Sequence, residues 1–270
     1  MARRATRRTT GTRRCVTMTK PDTPPPGNDG PILEIARVLA LLDASRHSLA
    51  ALSAAVDLAS NRQAELVAVY VEDLDLLSCA AFPFTCEIGA QSGITRPLTV
   101  DTLEASIARQ LQRVNQALAL AVAGRDLQHR LEVSRGPVAG EALAKAGPDD
   151  VLVLGKAGMT ERWGTRLGST SRRLILEAPC TVLLWDERHP FKRGPLRLLN
   201  QGGAEAVPNW LSALFDGLSP LPIRHARDLE NHLSHADAGG LLLHRTELEQ
   251  LLDEDPELLA NVPLPIVVVA

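Results

Sequence analysis

The sequence predicts an α/β protein in which helices cover both faces of a doubly wound, mostly parallel β-sheet. Short aliphatic runs alternate with segments of helical periodicity from Ile35 to the end of the chain, and this alternation is typical of βαβ units. The composition is 45% hydrophobic but only 3% aromatic. The core is therefore expected to be aliphatic, which suits helices packed on a parallel sheet.

The first half of the pattern opens with a βαβ unit. The apolar run IARVLALLDAS ends at Asp43, Ser45 can cap the following helix, and AELVAVYVEDLD is the second strand. Strand, helix and strand within about forty residues predict parallel strands joined by a right-handed crossover. The expected elements that follow are an irregular stretch over 76–99, helices over 100–123, 137–147 and 168–178, and strands over 127–136, 149–155 and 180–185.

A second, shorter series begins near residue 195. It predicts strands over 195–203, 221–226, 239–245 and 263–270, and helices over 206–219, 228–238 and 246–262. Its final helix, proline and aliphatic strand repeat the rhythm of residues 168–185. We therefore interpret it as a degenerate internal duplication, with a tail over 1–31, a five-stranded domain over 32–188 and a small α/β domain over 195–270.

Charge and hydropathy exclude several functional classes. The net charge of −3 and the pI near 6.2 give no global attraction for nucleic acid. Residues 1–20 hold six arginines and no acid. This composition predicts a nucleic-acid or import tail, a disordered tail, or an upstream start codon with Met18 as the true start. No apolar run reaches the ~20 residues of a membrane helix, so we expect a cytoplasmic protein without a membrane partner.

The cysteines and histidines predict no metal site. Cys79 and Cys86 lie close enough in sequence for a disulfide, but reduced thiols suit a cytosolic protein better. His232 and His235 can share a helix face. No thiolate or carboxylate set completes a site around them, and solvated histidines are the simpler interpretation.

Glycines mark a candidate anion site between residues 155 and 170. Gly155 ends an apolar run and Gly168 precedes a helical pattern, followed by Ser169 and Thr170. A glycine lets the backbone approach a ligand closely, and the first amides of a helix are suited to bind phosphate. The loop between carries Lys156, Arg162 and Arg166. Phosphate binding and ordinary loop glycines both remain open on this spacing alone.

The spacing Gly155-x2-Gly158-x9-Gly168-Ser169 resembles the ATP-binding signature of the universal stress protein family. The strands RVLALLDAS, VAVYVED and EAPCTVLLW are similar to three strands of that family, and the resemblance covers about residues 36–185. It implies a Rossmann-like five-stranded domain that binds ATP, with Mg²⁺ as an optional companion. The site residues it implies are Asp43 and the Val71 backbone for adenine, Gly155 and Gly158 for ribose and phosphates, and Gly168, Ser169 and Thr170 for the phosphates.

Three functions follow from this interpretation. The first is an ATP-binding regulatory protein of the stress response, acting on a protein partner that the sequence does not name. The second is a slow ATPase, although Glu161 is the only acid of the phosphate loop and efficient hydrolysis needs a metal-holding acid. The third is a nucleotide-free interaction protein with the same fold.

The two halves are expected to meet along their last strands. Residues 180–185 and 265–270 are both aliphatic and uncharged, and an exposed strand of this kind pairs readily with another strand. The resemblance implies that a second copy commonly covers this edge. Here the second half can do so, which predicts antiparallel pairing of the two strands within one chain, or a homodimer through the same strands.

Overall fold

Eleven strands and eight α-helices make up the part of the chain that the computed structural model describes, residues 35–89, 92–156, 167–186, 191–199 and 207–269. The strands are β1 Arg37–Leu42, β2 Glu65–Asp73, β3 Cys86–Ile88, β4 Thr95–Pro97, β5 His129–Gly136, β6 Val151–Gly155, β7 Thr181–Trp185, β8 Leu196–Leu199, β9 Leu218–Leu221, β10 Gly240–His244 and β11 Ile266–Val269. The helices are α1 Arg46–Arg62, α2 Leu74–Ala80, α3 Val100–Val122, α4 Val138–Lys145, α5 Ser169–Glu177, α6 Ala226–Leu233, α7 Arg245–Glu254 and α8 Leu258–Asn261.

Short polar side chains begin the helices of the first half. Ser45 accepts a hydrogen bond from the Ser48 amide at the start of α1, as the sequence predicts. Asp73 accepts from the amides of Asp75 and Leu76 at the start of α2, and Thr99 accepts from Thr102 at the start of α3. These caps satisfy amides that have no partner inside the helix.

Nine strands form one sheet in the order β5-β2-β1-β6-β7-β11-β10-β8-β9. Neighbours are parallel except at β7 and β11, which run antiparallel with Leu183 opposite Val267. The predicted pairing of residues 180–185 with 265–270 is therefore confirmed. The predicted fold class, a doubly wound α/β sheet followed by a smaller α/β unit, is also what the structure shows.

The strand order is the same on both sides of the β7–β11 pair. Moving outward, the first half places β7, β6, β1 and β2, and the second half places β11, β10, β8 and β9. In each half the order outward is the last strand, the strand before it, and then the first and second long strands of that half. Within the nine-stranded sheet, only β5 has no counterpart among the described strands of the second half, and these number four, as the sequence predicts.

Helices lie on both faces of the sheet, over two separate apolar cores. On one face α1 and α3 pack against Val38, Ala40 and Leu42 of β1. On the other face α4 to α8 pack against the alternate residues, such as Leu39 and Leu152. Because both faces are covered, the central strands are apolar throughout their length.

Residues 76–99 are wrongly predicted as irregular. Most of α2 lies there, and β3 and β4 form a separate two-stranded antiparallel sheet. Cys86, Glu87 and Ile88 of β3 are all exposed. Neither strand shows an apolar alternation, so the sequence pattern has no signal for this hairpin.

Three elements of the second half also differ from the prediction, and prolines and a glycine explain them. A 3-10 helix at Asn209–Ala213 replaces the helix predicted over 206–219, because Gly217 has φ +124°, which turns the chain into β9. The second strand ends at Leu221, before Pro222, instead of spanning 221–226. Pro256 forces Asp255 into an extended conformation and so divides the last predicted helix into α7 and α8.

The described residues lie in one compact unit, Leu33–Ala270, through which the nine-stranded sheet is continuous. The division into domains over 32–188 and 195–270 stays a prediction, and the tail predicted over 1–31 lies outside the described residues. Among the described helices, none has both the length and the apolar run needed to cross a bilayer.

Candidate functional site

A cavity of about 400 Å³ opens at the carboxyl ends of β1, β2 and β6. In the sheet, β2 and β5 lie on one side of β1, and β6 and β7 lie on its other side. The direction in which successive strands are added therefore reverses at β1. Ligands of open α/β sheets bind at such a switch point. The starts of α1 and α5 border the same cavity, so two sets of helix-terminal amides lie nearby.

Asp43 follows β1 directly and lines the cavity. Its Oδ1 accepts the amide of Ser45 at 2.9 Å, and its own amide donates to Ser48 Oγ at 3.3 Å. Burial alone would raise the pKa of Asp43, but hydrogen bonds from Ser45 and Ser48 outweigh it, so the pKa lies below its ordinary value. The carboxylate is therefore ionised at neutral pH and can only accept hydrogen bonds.

The β2 side of the cavity combines backbone and side-chain polar groups. Val71 and Asp73 line it near the end of β2. Tyr70 is 2% exposed and donates from its hydroxyl to Gln110 Oε1 at 3.0 Å, which satisfies the buried hydroxyl. Burial, with the charges of Glu72 and Asp43, raises the pKa of Tyr70. Apolar walls come from residues that include Leu42, Ile107, Val138 and Leu154.

Gly155 ends β6 and lines the cavity, but its missing side chain has a packing reason. A Cβ there would lie 2.5 Å from the His47 carbonyl carbon, 2.6 Å from its oxygen and 2.8 Å from the Ser48 amide nitrogen. The start of α1 therefore lies directly against β6. This contact accounts for a glycine at position 155 without any ligand.

The start of α5 supplies the other polar wall. Gly168 is the N-cap residue, and α5 begins at Ser169 with no acidic residue in its first turn. Thr170 and Ser171 line the cavity, whereas Gly168 and Ser169 do not. A Cβ on Gly168 would have no described atom within 4 Å. Among the described residues, none fills the space beside Gly168, at the end of the helix where anions bind most readily.

Lys156 does not have the role that the sequence suggests. Its side chain is only 1% exposed, and its ammonium group donates to the carbonyl oxygen of Val262 in the second half. It is therefore unable to contact a phosphate in the cavity as it is placed. Gly158, Arg162 and Arg166, the other residues of the predicted phosphate loop, lie outside the described residues.

The structure brings together four of the seven predicted site residues, Asp43, Val71, Gly155 and Thr170, in one cavity. It adds His47, Ser48, Tyr70 and Gln110, which sequence reasoning missed. His47 and Ser48 could have been found, since they belong to the first turn of a helix that follows Asp43. Gln110 lies in the middle of α3, and no sequence signal connects it with β1 or β6. Among the described residues, no His, Cys, Asp and Glu side chains cluster as metal ligands do.

Comparisons with known proteins identify the fold. No family model matches the sequence, and no curated protein matches it. A universal stress protein from Archaeoglobus fulgidus is 11% identical with a TM-score of 0.52, and the match covers 87% of this chain and 98% of that one. UspA from Lactobacillus plantarum is 25% identical with a TM-score of 0.43, over 56% of this chain and 97% of its own. A universal stress protein in complex with cAMP is 19% identical with a TM-score of 0.36, over 57% and 98%.

The Archaeoglobus match shows that this chain has the Rossmann-like α/β fold of universal stress proteins. It covers more of the chain than the first half contains, so the fold likeness includes the second half of the sheet. At 11% identity the likeness concerns the fold alone.

Proposed function

We propose that this chain, which has the universal stress protein fold, is an adenine-nucleotide-binding member of that family. The observation that carries the proposal is the cavity at the switch point. It holds an ionised acceptor, Asp43, on one side and the open N-terminus of α5 on the other. Its volume of about 400 Å³ lies within the usual range for sites of small ligands.

The polar groups suit the two ends of a nucleotide. The Asp43 carboxylate can accept hydrogen bonds from an exocyclic amino group, and the Val71 backbone can complete the base edge, as in the family resemblance. Phosphates are anions, and the amides of the first turn of α5 with the Thr170 hydroxyl offer donors at the positive end of the helix dipole. Mg²⁺ would enter with the phosphates, since it is usually held by few protein ligands.

A regulatory role in the stress response is part of the same proposal. The matching strand order on the two sides of β7 and β11 supports an origin by duplication. The second half would then be a copy without a nucleotide site that covers the β7 edge, in place of a second chain. In this proposal the chain is a cytoplasmic binding protein whose nucleotide state influences a protein partner.

Isothermal titration of the full chain with ATP, ADP, AMP and cAMP tests the proposal. Gly168→Val places a branched side chain at the start of α5 without meeting a described atom, so we expect an intact fold and at least about tenfold weaker binding, about 1.4 kcal/mol. Ser169→Ala and Thr170→Val should each weaken binding by about 1 kcal/mol if one hydrogen bond is lost.

The matched control is Gly140→Val in α4. Its added Cβ meets nothing closer than Pro137 Cβ at 3.9 Å, and it lies inside α4, not at the helix N-terminus that is proposed to hold the phosphates. It should bind like wild type. A wild-type protein that binds none of the four nucleotides would sink the proposal, and wild-type affinity in Gly168→Val would remove the α5 terminus from the site.

An interaction protein is the second candidate, because one region exposes an unusual amount of apolar surface. Phe82, Phe84, Ile88 and Ile94 are 66%, 92%, 70% and 54% exposed, all within or beside the β3–β4 hairpin. Clustered exposed apolar side chains often mark a protein–protein contact. A double variant, Phe82→Ser with Phe84→Ser, should lose the partner and keep nucleotide affinity.

A further inference from the structure

Two cationic side chains cross between the halves of the sheet in opposite directions. Lys156, from the first half, donates to the carbonyl oxygen of Val262, which ends α8 in the second half. Arg245, the first residue of α7, donates to the carbonyl oxygens of Ile175 and Cys180 at 3.1 and 2.6 Å. Both are charge-assisted bonds to backbone, which are stronger than neutral ones.

Lys156 is fixed at both its backbone and its side chain. Its amide donates to the Trp185 carbonyl oxygen at 2.6 Å, and its ammonium group is buried against the second half. Losing a hydrogen bond is costly for a buried ammonium group, so the contact with Val262 helps to hold the two halves together. Lys156 directly follows Gly155, a residue of the cavity wall, and this wall is thereby attached to α8.

Arg245 attaches the opposite wall of the same cavity. Ile175 lies in α5, whose first turn supplies Thr170 and Ser171 to the cavity. Burial lowers the pKa of the Arg245 guanidinium, which shows how far the group is desolvated. A short helix moves nearly as a rigid body, so holding the end of α5 also holds its beginning.

We propose that Lys156 and Arg245 are positioning residues that couple the docking of the second half to ligand binding in the cavity of the first half. The proposal rests on the proposed function, with an adenine nucleotide as the ligand. Because coupling is reciprocal, a nucleotide bound in the first half should also stabilise the attachment of the second half.

A purely structural role would stabilise the fold and leave the cavity unaffected. Arg62 provides the matched control, since it also donates across the halves, to the Trp210 carbonyl oxygen at 2.5 Å. It is the last residue of α1, about 24 Å along the helix from the first turn that borders the cavity. Lys156 and Arg62 therefore differ in their distance from the cavity and share the type of contact.

The first measurement compares Lys156→Met, Arg245→Lys and Arg62→Met in the full chain by ATP titration and thermal unfolding. We expect all three variants to have a lower Tm than wild type. Lys156→Met should bind ATP about tenfold more weakly than wild type and Arg245→Lys about threefold more weakly. Arg62→Met should bind ATP with wild-type affinity. Arg245→Lys keeps the charge, so it tests the coupling even if Lys156→Met does not fold. Equal ATP affinity in all folded variants, or an equal loss in Arg62→Met, would overturn the coupling.

The second measurement needs no ligand and separates this proposal from the nucleotide assignment. Hydrogen exchange of β6 and α5 amides should become several-fold faster in Lys156→Met or Arg245→Lys, and should not change in Arg62→Met. If the wild type binds no nucleotide but exchange follows this pattern, the nucleotide assignment fails and the mechanical coupling stands. If the wild type binds ATP and exchange in β6 and α5 is unchanged, the coupling fails and the assignment stands.

Discussion

The strand-to-helix junctions of the two halves differ, although they occupy equivalent places beside the β7–β11 pair. In the first half β6 ends at Gly155 and α5 begins at Ser169, so residues 156–168 lie between them. In the second half β10 ends at His244 and α7 begins at Arg245, with no residue between. The helix start is therefore separated from the strand end in one half and directly joined to it in the other.

The two helix starts also differ in charge. The first turn of α5 contains no acid, whereas Glu247 lies in the first turn of α7 and accepts a hydrogen bond from the His244 amide. An acidic residue at this position occupies the positive end of the helix and disfavours an anion. The second half uses its junction instead for Arg245, which binds the first half. The two halves thus share a strand order but differ in how well their helix starts would suit an anion.

Removal of the second half, residues 189–270, is the largest change that tests this comparison. It uncovers the β7 edge, whose residues Val182, Leu183 and Leu184 pair with β11 in the intact chain. An aliphatic open edge invites pairing with another chain. We expect the remaining protein to dimerise or aggregate when its mass is measured by size exclusion with light scattering.

The control deletion removes residues 1–17 and should leave the oligomeric state, Tm and nucleotide affinity unchanged. A remainder that stays monomeric and soluble after loss of the second half would contradict the covering role. The second half would then need another explanation.

A series of glycine variants gives the next largest effect. Gly155→Ala brings a Cβ against the rigid backbone of His47, so we expect a loss of about 1–3 kcal/mol in unfolding free energy. At Gly240, the start of β10, a Cβ would meet the Phe215 ring at 2.6 Å. The Phe215 ring is only 4% exposed, and the Pro265 carbonyl oxygen lies 3.3 Å from the same Cβ, so Gly240→Ala should also destabilise the fold. Gly168→Ala should stay within about 0.5 kcal/mol of wild type.

Urea unfolding at fixed protein concentration measures the series. Gly155→Ala with wild-type stability would show that the packing reason for this glycine is wrong, and would leave ligand approach as its explanation. Gly155 and Gly168 would then both serve the approach of a ligand to the backbone, although their surroundings differ.

The fold was largely predictable because its signals are local. Aliphatic runs bounded by Asp43, Gly155 and Pro179 mark buried strands, and Ser45 marks a helix start. The errors fall where a local signal is absent or is cut short by a single residue. The exposed β3–β4 hairpin has no alternation, and Pro256 divides a segment that otherwise reads as one helix.

The site was predictable only in part, since its neighbours come from distant parts of the chain. Asp43, Val71 and Thr170 belong to strand ends and a helix start, which topology brings together. The sequence position of Lys156 beside Gly155 suggests a phosphate contact. In the structure its ammonium group instead donates to the carbonyl oxygen of Val262 in the second half. A contact 106 residues away leaves no trace in the local pattern.

The smallest expected effect compares two carboxylates, one in each half. Hydrogen bonds from the Ala226 amide and His225 lower the pKa of Glu254 from its ordinary value of 4.5. Desolvation opposes such a shift at Asp43, but hydrogen bonds from Ser45 and Ser48 outweigh it and hold the pKa below its ordinary value of 3.8. Each acid therefore stabilises the fold above its ordinary pKa, and this contribution disappears as the pH falls below that value.

Asp43→Asn and Glu254→Gln should each be less stable than wild type at pH 7, and each difference should narrow at pH 3. Both effects should be small and should weaken in salt, since the Glu254 side chain is 43% exposed and Asp43 is also exposed to solvent. Only Asp43 lines the cavity, so only Asp43→Asn should weaken ATP binding at pH 7. Equal affinity in the two variants would mean that the Asp43 carboxylate serves the start of α1 alone. The first half would then resemble the second, because its acid would support a helix start and would not bind the adenine base.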